Sequence, residues 1–555
     1  MLNLLPPRNW GDFIIRKWRL ENMTISVIKR DGKIVAFNSD KIRKAIANAA
    51  TRIGEMTEQD IDRITEIIVN KCDRFPGDQI SVEQIQDLVE DTLLKSKFNR
   101  TAKSYILFRD MRTRNRDNKS KLLKDIAKKL NGTNIVNQNA NLDEASFGGR
   151  KGEAANELMK WFALNNCMSK KSRENHLNNE IYIHDLDSYA LGCHNCLSIP
   201  FDQLLAKGFN TRQTDIRPAS SINTAFQLVA VIFQLQSLQQ FGGVAATHLD
   251  WTMVPYVRKS FAKHFLDGVE YILDNSIEYD REELLQLSID SPLYKEQPKV
   301  YKYALAKTEK ELAQAVEGMY HNLNTLQSRS GNQLPFSSVN YGTCTLPEGR
   351  MVIKALLEGC IKGVGKHHRT SIFPCGIFQY MKGVNDRPGT PNYDLYRLAL
   401  ESTARRLYPN YANVDWSGNA GYDRNDPKTY FSTMGCRTAN GFDINHDEGV
   451  NPQTKDGRGN HCPVTIIMPT LAMEAGRDVD CFMALLDTKI HEAKDMLIER
   501  YEYICAQDPS AARFMYENNV MLGYKPEEGI RSALKHGTLA VGQLGLAETQ
   551  ELSRL

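Results

Sequence analysis

A chain of 555 residues, 25% charged and 41% apolar, has the make-up of a globular protein long enough for two to four domains. A formal charge of +3 is too small for non-specific nucleic-acid binding. Eleven cysteines are scattered without a disulfide-type framework or a secretory leader, which argues against an extracellular scaffold and for the reducing cytoplasm.

Residues 1–22, "MLNLLPPRNWGDFIIRKWRLEN", read as an N-terminal tail, with Met23 opening the first patterned segment. "ISVIKRDGKIVAF" predicts a hairpin turning at Asp31-Gly32. "NSDKIRKAIANAA" predicts a helix capped by Ser39 or Asp40, with Ile42, Ala45, Ile46 and Ala49 on one face. Two further amphipathic helices follow, one carrying Ile61, Ile64 and Ile68, the next Val82, Ile85, Val89 and Leu93. A fourth carries "TAKSYILFRDMR", completing a small, mostly helical domain over 23–115. The basic stretch 116–135 reads as a solvated linker helix.

From residue 136 to 555, short apolar runs alternate with long amphipathic helices, which predicts an α/β domain. "IYIHDLDSYALGCHNCLSI", "SIFPCGIFQ" and "CPVTIIMP" are strand-like. The first alternates from Ile181 to Leu197, so Cys193 and Cys196 are expected on opposite faces of one strand. "NTAFQLVAVIFQLQSLQQFGG" is the most apolar long run. Glutamines at 227, 234, 236, 239 and 240 interrupt it, so it predicts a buried helix ending at Gly242 and Gly243, not a membrane span.

Lys29, Arg30 and Lys33 surround the first turn, and Lys41 opens the next helix. Cations beside exposed backbone N–H groups suit a phosphate chain, although a solvated basic hairpin looks the same. The longer pattern over 25–112 resembles the ATP-cone, a regulatory nucleotide-binding module. The resemblance implies that Lys29, Arg30, Asp31, Gly32, Lys41 and Lys103 form an effector site for ATP or dATP.

Cys193 and Cys196 of "GCHNC" form a Cys-x-x-Cys pair, which serves either half a zinc site or redox chemistry. A zinc site would need His461 and Cys462 of "HCP" as the other half, and Pro463 beside them does not give the usual ligand loop; no metal site is assigned. Cys436 stands alone in "STMGCRTANG", a stretch too small and polar to pack, and can meet a strand cysteine only if its loop inserts into a barrel.

Over roughly 136–548, the ordered segments "IYIHDLDSYALGCHNCLSIPFDQLLAKGFNTR", "QQFGGVAATHLDWTMVPYVRKSF", "TSIFPCGIF", "STMGCRTANG" and "HGTLAVGQLGLAE" resemble the class III, or anaerobic, ribonucleotide reductases. The resemblance implies a ten-stranded α/β barrel of the glycyl-radical type, incomplete at the C-terminus. It implies reduction of ribonucleoside triphosphates to deoxyribonucleotides for DNA synthesis. Cys436 would carry a thiyl radical that takes hydrogen from C3′, and Cys196 would supply hydrogen as the 2′-hydroxyl leaves; His184 of "IHDLD" either contacts substrate or is a core histidine. A radical S-adenosylmethionine activase, a formate or redoxin reductant and a homodimer come with the family.

Two departures follow. Formate-using members carry an asparagine in the strand matching "CPVTIIMP", where Ile467 or Met468 stands here, which leaves formate and a thiol reductant such as a small redoxin both open, the latter with Cys193, Cys344, Cys375 or Cys462 as a third cysteine. The family's zinc segment and its Arg-Val-x-Gly-Tyr motif are missing; Gly421-Tyr422 and Gly523-Tyr524 lack the Arg-Val prefix. The expectation is an incomplete reductase, either a truncated gene product or half of a split enzyme whose second chain brings the radical glycine. The rivals are a formate-lyase-like acyltransferase, which would need adjacent cysteines on the loop, and a catalytically silent nucleotide sensor.

Overall fold

The computed structural model describes residues 25–30, 32–51, 53–131, 146–273, 279–329 and 332–553, with the side chains of 114–121 outside that description. The tail 1–22, Asp31 and residues 132–135 of the expected linker lie outside the described residues. Two compact units divide between Lys124 and Asp125.

In the first unit, β1 (Ser26–Ile28) and β2 (Ile34–Ala36) form the expected antiparallel hairpin. Gly32 takes φ +78° in its turn, a left-handed conformation that glycine adopts without steric cost. A third strand, β3 (Gln79–Ser81), pairs parallel with β1. The sequence reading ran these residues into the following helix. Ile80 is fully buried in the strand, and Ser81 then caps the Val82–Leu94 helix in a capping box with Gln84. Thr57 and Asp60 form the same device on the Glu58–Asp73 helix. Ile46, Ile68, Cys72 and Leu93 close the core with no exposed surface, each apolar side chain contributing about 1.5–3 kcal/mol of burial. The expected fourth helix and linker helix are one element, Asn99–Leu130.

The second unit is built on an eight-stranded sheet. Its strands are β4 (Ile181–Ile183), β5 (Cys196–Ser198), β8 (Val244–Ala246), β9 (Ser337–Tyr341), β10 (Cys375–Tyr380), β11 (Asn410–Asn413), β12 (Gly459–Ile467) and β13 (Thr538–Leu544); β6 (Phe209–Asn210) and β7 (Asp215–Ile216) form a separate small hairpin. The order is β11-β10-β9-β8-β5-β12-β13, with β4 also on β12. From β11 to β5 all neighbours are parallel. β12 and β13 are parallel to each other, but β12 runs antiparallel to β5. Two oppositely directed parallel runs therefore meet at a seam of only two residue pairs, Leu197 with Gly459 and Cys196 with Asn460.

The single strand expected over 181–197 is two strands. Asp185, at φ +46°, turns the chain out of β4 into a short 3₁₀ turn at Leu186–Ser188, and β5 begins only at Cys196. Cys193 is not on a strand, so the opposite-faces argument does not apply to it. The apolar helix is Ile222–Ser237, ending before Gly242 and Gly243. Its Phe226, Val229 and Phe233 pack with Val316 and Leu323 of the Pro298–Leu323 helix and with Leu356 of the Pro347–Lys362 helix, all fully buried. Asp250 ties the end of β9 in place, its Oδ2 accepting from the N–H groups of Gly342, Thr343 and Cys344 at 2.9, 3.0 and 2.9 Å.

Candidate active site

Pairing partners in a sheet share a face, and alternate residues return to it. Cys196 and Ser198 on β5, Ala245 on β8, Ser338 and Asn340 on β9, Gln379 on β10 and Asn460 on β12 therefore lie on one face. Strands covered on both sides are normally runs of Val, Ile and Leu. Here Ser338, Asn340, Gln379 and Asn460 are polar and buried. That pattern is the mark of a lined site rather than a core.

These amides hold the cysteine loop. Asn340 accepts from Thr433 N–H at 3.1 Å and donates to the Thr433 carbonyl at 2.9 Å. Gln379 donates to the Phe431 carbonyl at 3.0 Å. On the other limb, Asn440 donates to the carbonyls of Lys455 and Arg458 at 2.8 and 2.9 Å. The tip closes with Met434 N–H to Thr438 O at 2.9 Å and Arg437 N–H to Met434 O at 2.7 Å. At Gly435 a Cβ would meet the Phe336 ring at 2.6 Å, so only glycine lets the loop lie this close to the sheet.

The result is one close sulfur pair: Cys436 Sγ lies 2.9 Å from Cys196 Sγ. Gly243 N–H donates to Cys196 Sγ at 3.3 Å, and Thr438 Oγ1 lies 3.4 Å from Cys436 Sγ. Cys196 is fully buried, whereas Cys436 is solvent-accessible. The two sulfurs share a proton unequally. The hydrogen bond from Cys196 lowers Cys436 to about 6, against the burial that opposes its charge. The same bond, joined by burial, raises Cys196 well above an ordinary thiol. Arg329, half-buried, adds positive charge on the Cys196 side.

The other predicted residues fall in three places. His184 lies on β4's side of β12, its Nε2 2.6 Å from Thr465 Oγ1, and burial lowers its pKa. It follows Ile183, the last residue of β4, which pairs with Val464 of β12, four residues or ~13 Å along the strand from Asn460. Lys29 and Lys41 line one cleft of the first unit with Val27, Phe37, Gln86 and Tyr105. Arg30 pairs with Glu83 and donates to Gln86 at 3.0 Å, Gly32 is the hairpin turn, and Lys103 is exposed on its helix outside that cleft.

Of the four candidates for a third cysteine, Cys375 shares the site face through its pairing with Ser338, and each of the four sulfurs has another neighbour. Cys193 faces Ser188 O at 3.7 Å, Cys375 the Tyr408 hydroxyl at 3.4 Å, Cys462 Leu497 O at 3.6 Å, and Cys344 packs against Gly349. Nor do Cys193, Cys196, His461 and Cys462 converge; His461 Nε2 is taken by Leu534 O at 2.7 Å. The sequence reading looked for an asparagine at Ile467 or Met468 and missed Asn460, at the other end of the same strand. Asn460 pairs with Cys196, its Nδ2 is 3.5 Å from Thr438 Oγ1, and its Oδ1 is buried with no hydrogen-bond partner. A polar residue at the start of an apolar strand was the signal.

The comparisons with known proteins agree with one another. The sequence profile of the anaerobic ribonucleoside-triphosphate reductases matches residues 138–553, and that of the ATP cone domain matches 25–114. An anaerobic ribonucleoside-triphosphate reductase of Haemophilus influenzae is 30% identical over 530 residues, 94% of this chain and 70% of that protein. The Escherichia coli protein of the same description is 28% identical over 95% of this chain and 70% of its own length. Among solved structures, the anaerobic ribonucleotide reductase from Thermotoga maritima with glycerol in the active site superposes with a TM-score of 0.53 at 15% identity, covering 80% of this chain and 69% of that one, a likeness of fold.

Proposed function

This chain belongs to the anaerobic ribonucleoside-triphosphate reductase family, and from that premise we propose how its residues reduce a ribonucleoside triphosphate in the cytoplasm. The observation that carries the reading is the pair of sulfurs 2.9 Å apart on the polar face of the sheet. A glycyl radical, raised by a radical S-adenosylmethionine activase, supplies the one-electron oxidation of Cys436. No Arg-Val-x-Gly-Tyr run occurs among these 555 residues, so no residue here is assigned that radical and no step is routed through it; the family's zinc is likewise given no ligands.

The thiyl on Cys436 takes the hydrogen atom from C3′, leaving a carbon radical and an S–H bond. That radical weakens the neighbouring C2′–O bond. Cys196, kept protonated by its raised pKa, gives its proton to the 2′-hydroxyl, which leaves as water. C2′ then gains two electrons and a proton, Cys196 recovers its own proton from solvent, and Cys436 returns its hydrogen to C3′, restoring the thiyl. The sheet and its helices keep water from Cys196, which is fully buried, while Cys436 is solvent-accessible.

The two electrons come from formate, which leaves as carbon dioxide. Two observations support this over a redoxin. Among the described residues, the sulfurs of Cys193, Cys344 and Cys462 contact other groups and that of Cys375, on the site face, is turned to the Tyr408 hydroxyl, while Asn460 offers a buried amide beside Cys196 that can accept from a sugar hydroxyl or, turned over, donate to a carboxylate. ATP and dATP act as effectors at the first unit through Lys29 and Lys41 of the cleft, with Arg30 and Gly32 on the adjoining hairpin. His184 is placed at the edge of the substrate space, and a homodimer is the working assembly.

The test is anaerobic. The chain is combined with activase, S-adenosylmethionine, carbon-labelled formate, each ribonucleoside triphosphate in turn, and a polypeptide bearing the Arg-Val-x-Gly-Tyr motif. Deoxynucleotide and labelled carbon dioxide are expected in equal amounts, with both lost in Cys436→Ser. Equal turnover by Cys436→Ser overturns the cysteine assignment, and turnover driven by dithiol without formate overturns the reductant.

A further inference from the structure

Outside the cysteine pair, three residues that stand far apart in the chain, and to which the sequence reading assigns no role, meet in the fold. Asp202 opens the helix Phe201–Lys207 that follows β5, His248 follows β8, and Asp456 precedes β12. One ligand atom from each lies within 4.8 Å of the others. We propose that Asp202, His248 and Asp456 bind one divalent cation of the manganese or magnesium class, at the base of the loop that carries Cys436.

The state of the carboxylates carries the argument. Asp456 is 2% exposed, and its Oδ2, 3.9 Å from His248 Nδ1, has no hydrogen-bond partner. Its other oxygen accepts from Thr247 Oγ1. Asp202 repeats the arrangement: Oδ2 is held by Lys428 Nζ at 2.5 Å, while the buried Oδ1 has no partner. Each carboxylate thus has one oxygen fixed and one idle, and a buried idle carboxylate oxygen is costly. Thr247 also lies 2.7 Å from His248 Nδ1, so one hydroxyl orients both an imidazole and a carboxylate, as outer partners of metal ligands commonly do. Lys428 supplies one positive charge, fewer than two ionised carboxylates require. Two oxygens and one nitrogen fit manganese well and magnesium acceptably, and lack the thiolates that would select zinc or copper(I). The Asp202 and Lys428 side chains are 28% and 36% exposed, which gives ion and water a route in.

The position explains what such an ion would do. Ser198 N–H donates to Arg458 O at 3.0 Å and Gly457 N–H to Ser198 O at 2.7 Å, so the segment after Asp456 is laced to the strand that begins with Cys196. Lys455 N–H donates to the carbonyl of Lys428, closing the neck of the 428–455 segment at 2.9 Å. A cation on Asp202, His248 and Asp456 would pin that neck to β5 and β8.

Manganese alone is the probe, added without nucleotide to the full chain after chelator dialysis. Loss of the free-ion EPR signal should show one bound manganese per chain, magnesium should displace it, and pulsed EPR should show coupling to one imidazole nitrogen. Asp456→Asn and His248→Gln should each weaken binding at least tenfold, with circular dichroism reporting that both remain folded. Asp202→Asn, on a part-exposed residue, serves if either does not fold. No manganese bound by the wild-type chain, no imidazole coupling, or undiminished binding by the variants would overturn the proposal. This readout needs no turnover and is independent of the reductase reading.

Discussion

Replacing Cys196 by alanine should change the ionisation of a residue 240 positions away in the chain. Cys436 is held at about 6 chiefly by its hydrogen bond from Cys196, with burial pulling the other way from an ordinary value of 9.0. In Cys196→Ala that bond, the largest lowering cause, is gone, while burial and the hydrogen bonds from Thr438 and the local backbone stay, so the thiol should rise toward its ordinary value of 9.0. On a full return, the thiolate fraction at pH 7 falls from ~90% to ~1%. A more basic thiolate is also a better nucleophile: with a Brønsted slope of about 0.4–0.5, three pKa units give roughly twentyfold in intrinsic reactivity. The net reaction of Cys436 with an aromatic disulfide probe should slow about fivefold at pH 7 and about 25-fold at pH 6. Stopped-flow absorbance across pH 5 to 10, under argon, with peptide mass spectrometry to isolate the Cys436 adduct, measures this directly. The wild-type profile should bend near pH 6 and the variant's well above it, toward 9. Two profiles with the same inflection, or a wild-type curve with none below pH 8, would refute the shared-proton account.

In the first unit, Lys29→Ala and Lys41→Ala should each weaken ATP and dATP binding roughly 10- to 150-fold, the value of one charge-assisted hydrogen bond of about 1.5–3 kcal/mol; calorimetry on the full chain decides, and unchanged affinity in both would move the effector elsewhere. In the second unit, burial works against the charge of Glu492, but Lys489, Lys171 and Asn175 outweigh it and draw the carboxyl down to about 2. A lowered carboxyl contributes stability that is present above its unfolded value near 4.5 and is lost as the pH falls through 2. Glu492→Gln should therefore cost about 3 kcal/mol in urea melts at pH 7, with the gap to wild type closing between pH 4.5 and 2. A gap independent of pH would mean that the side chain acts by packing.

What could be read from the sequence depended on how local its cause was. The Asp31-Gly32 turn and the buried faces of the first helices follow from neighbours in the chain, and the structure has the hairpin and those helices. β3 was missed because three residues give no periodicity; only pairing with β1 makes them a strand. The break between β4 and β5 was missed because apolar alternation continues through residues that tertiary contacts fold into turns. Within the site, Cys196 and Cys436 were singled out through family resemblance, since nothing within ten residues of either points to the other. Gly243, Arg329 and Asn460 touch the pair only through long-range contacts. Asp202, His248 and Asp456 carry no spacing rule at all.

The seam between β5 and β12 ties chemistry to mechanics. With only two rungs, and those between strands of opposite direction, it is as thin as any stitch in the sheet, and Cys196 and Asn460 form one of those rungs. Sliding β12 by a single residue would send the Asn460 amide to the far side and leave the thiol facing a carbonyl or bare backbone. Any event that shears the two halves past each other, whether partner docking, heat or a bulky substitution at Gly459, where a Cβ would collide with Cys196 O, switches the reactive centre off before the fold itself gives way.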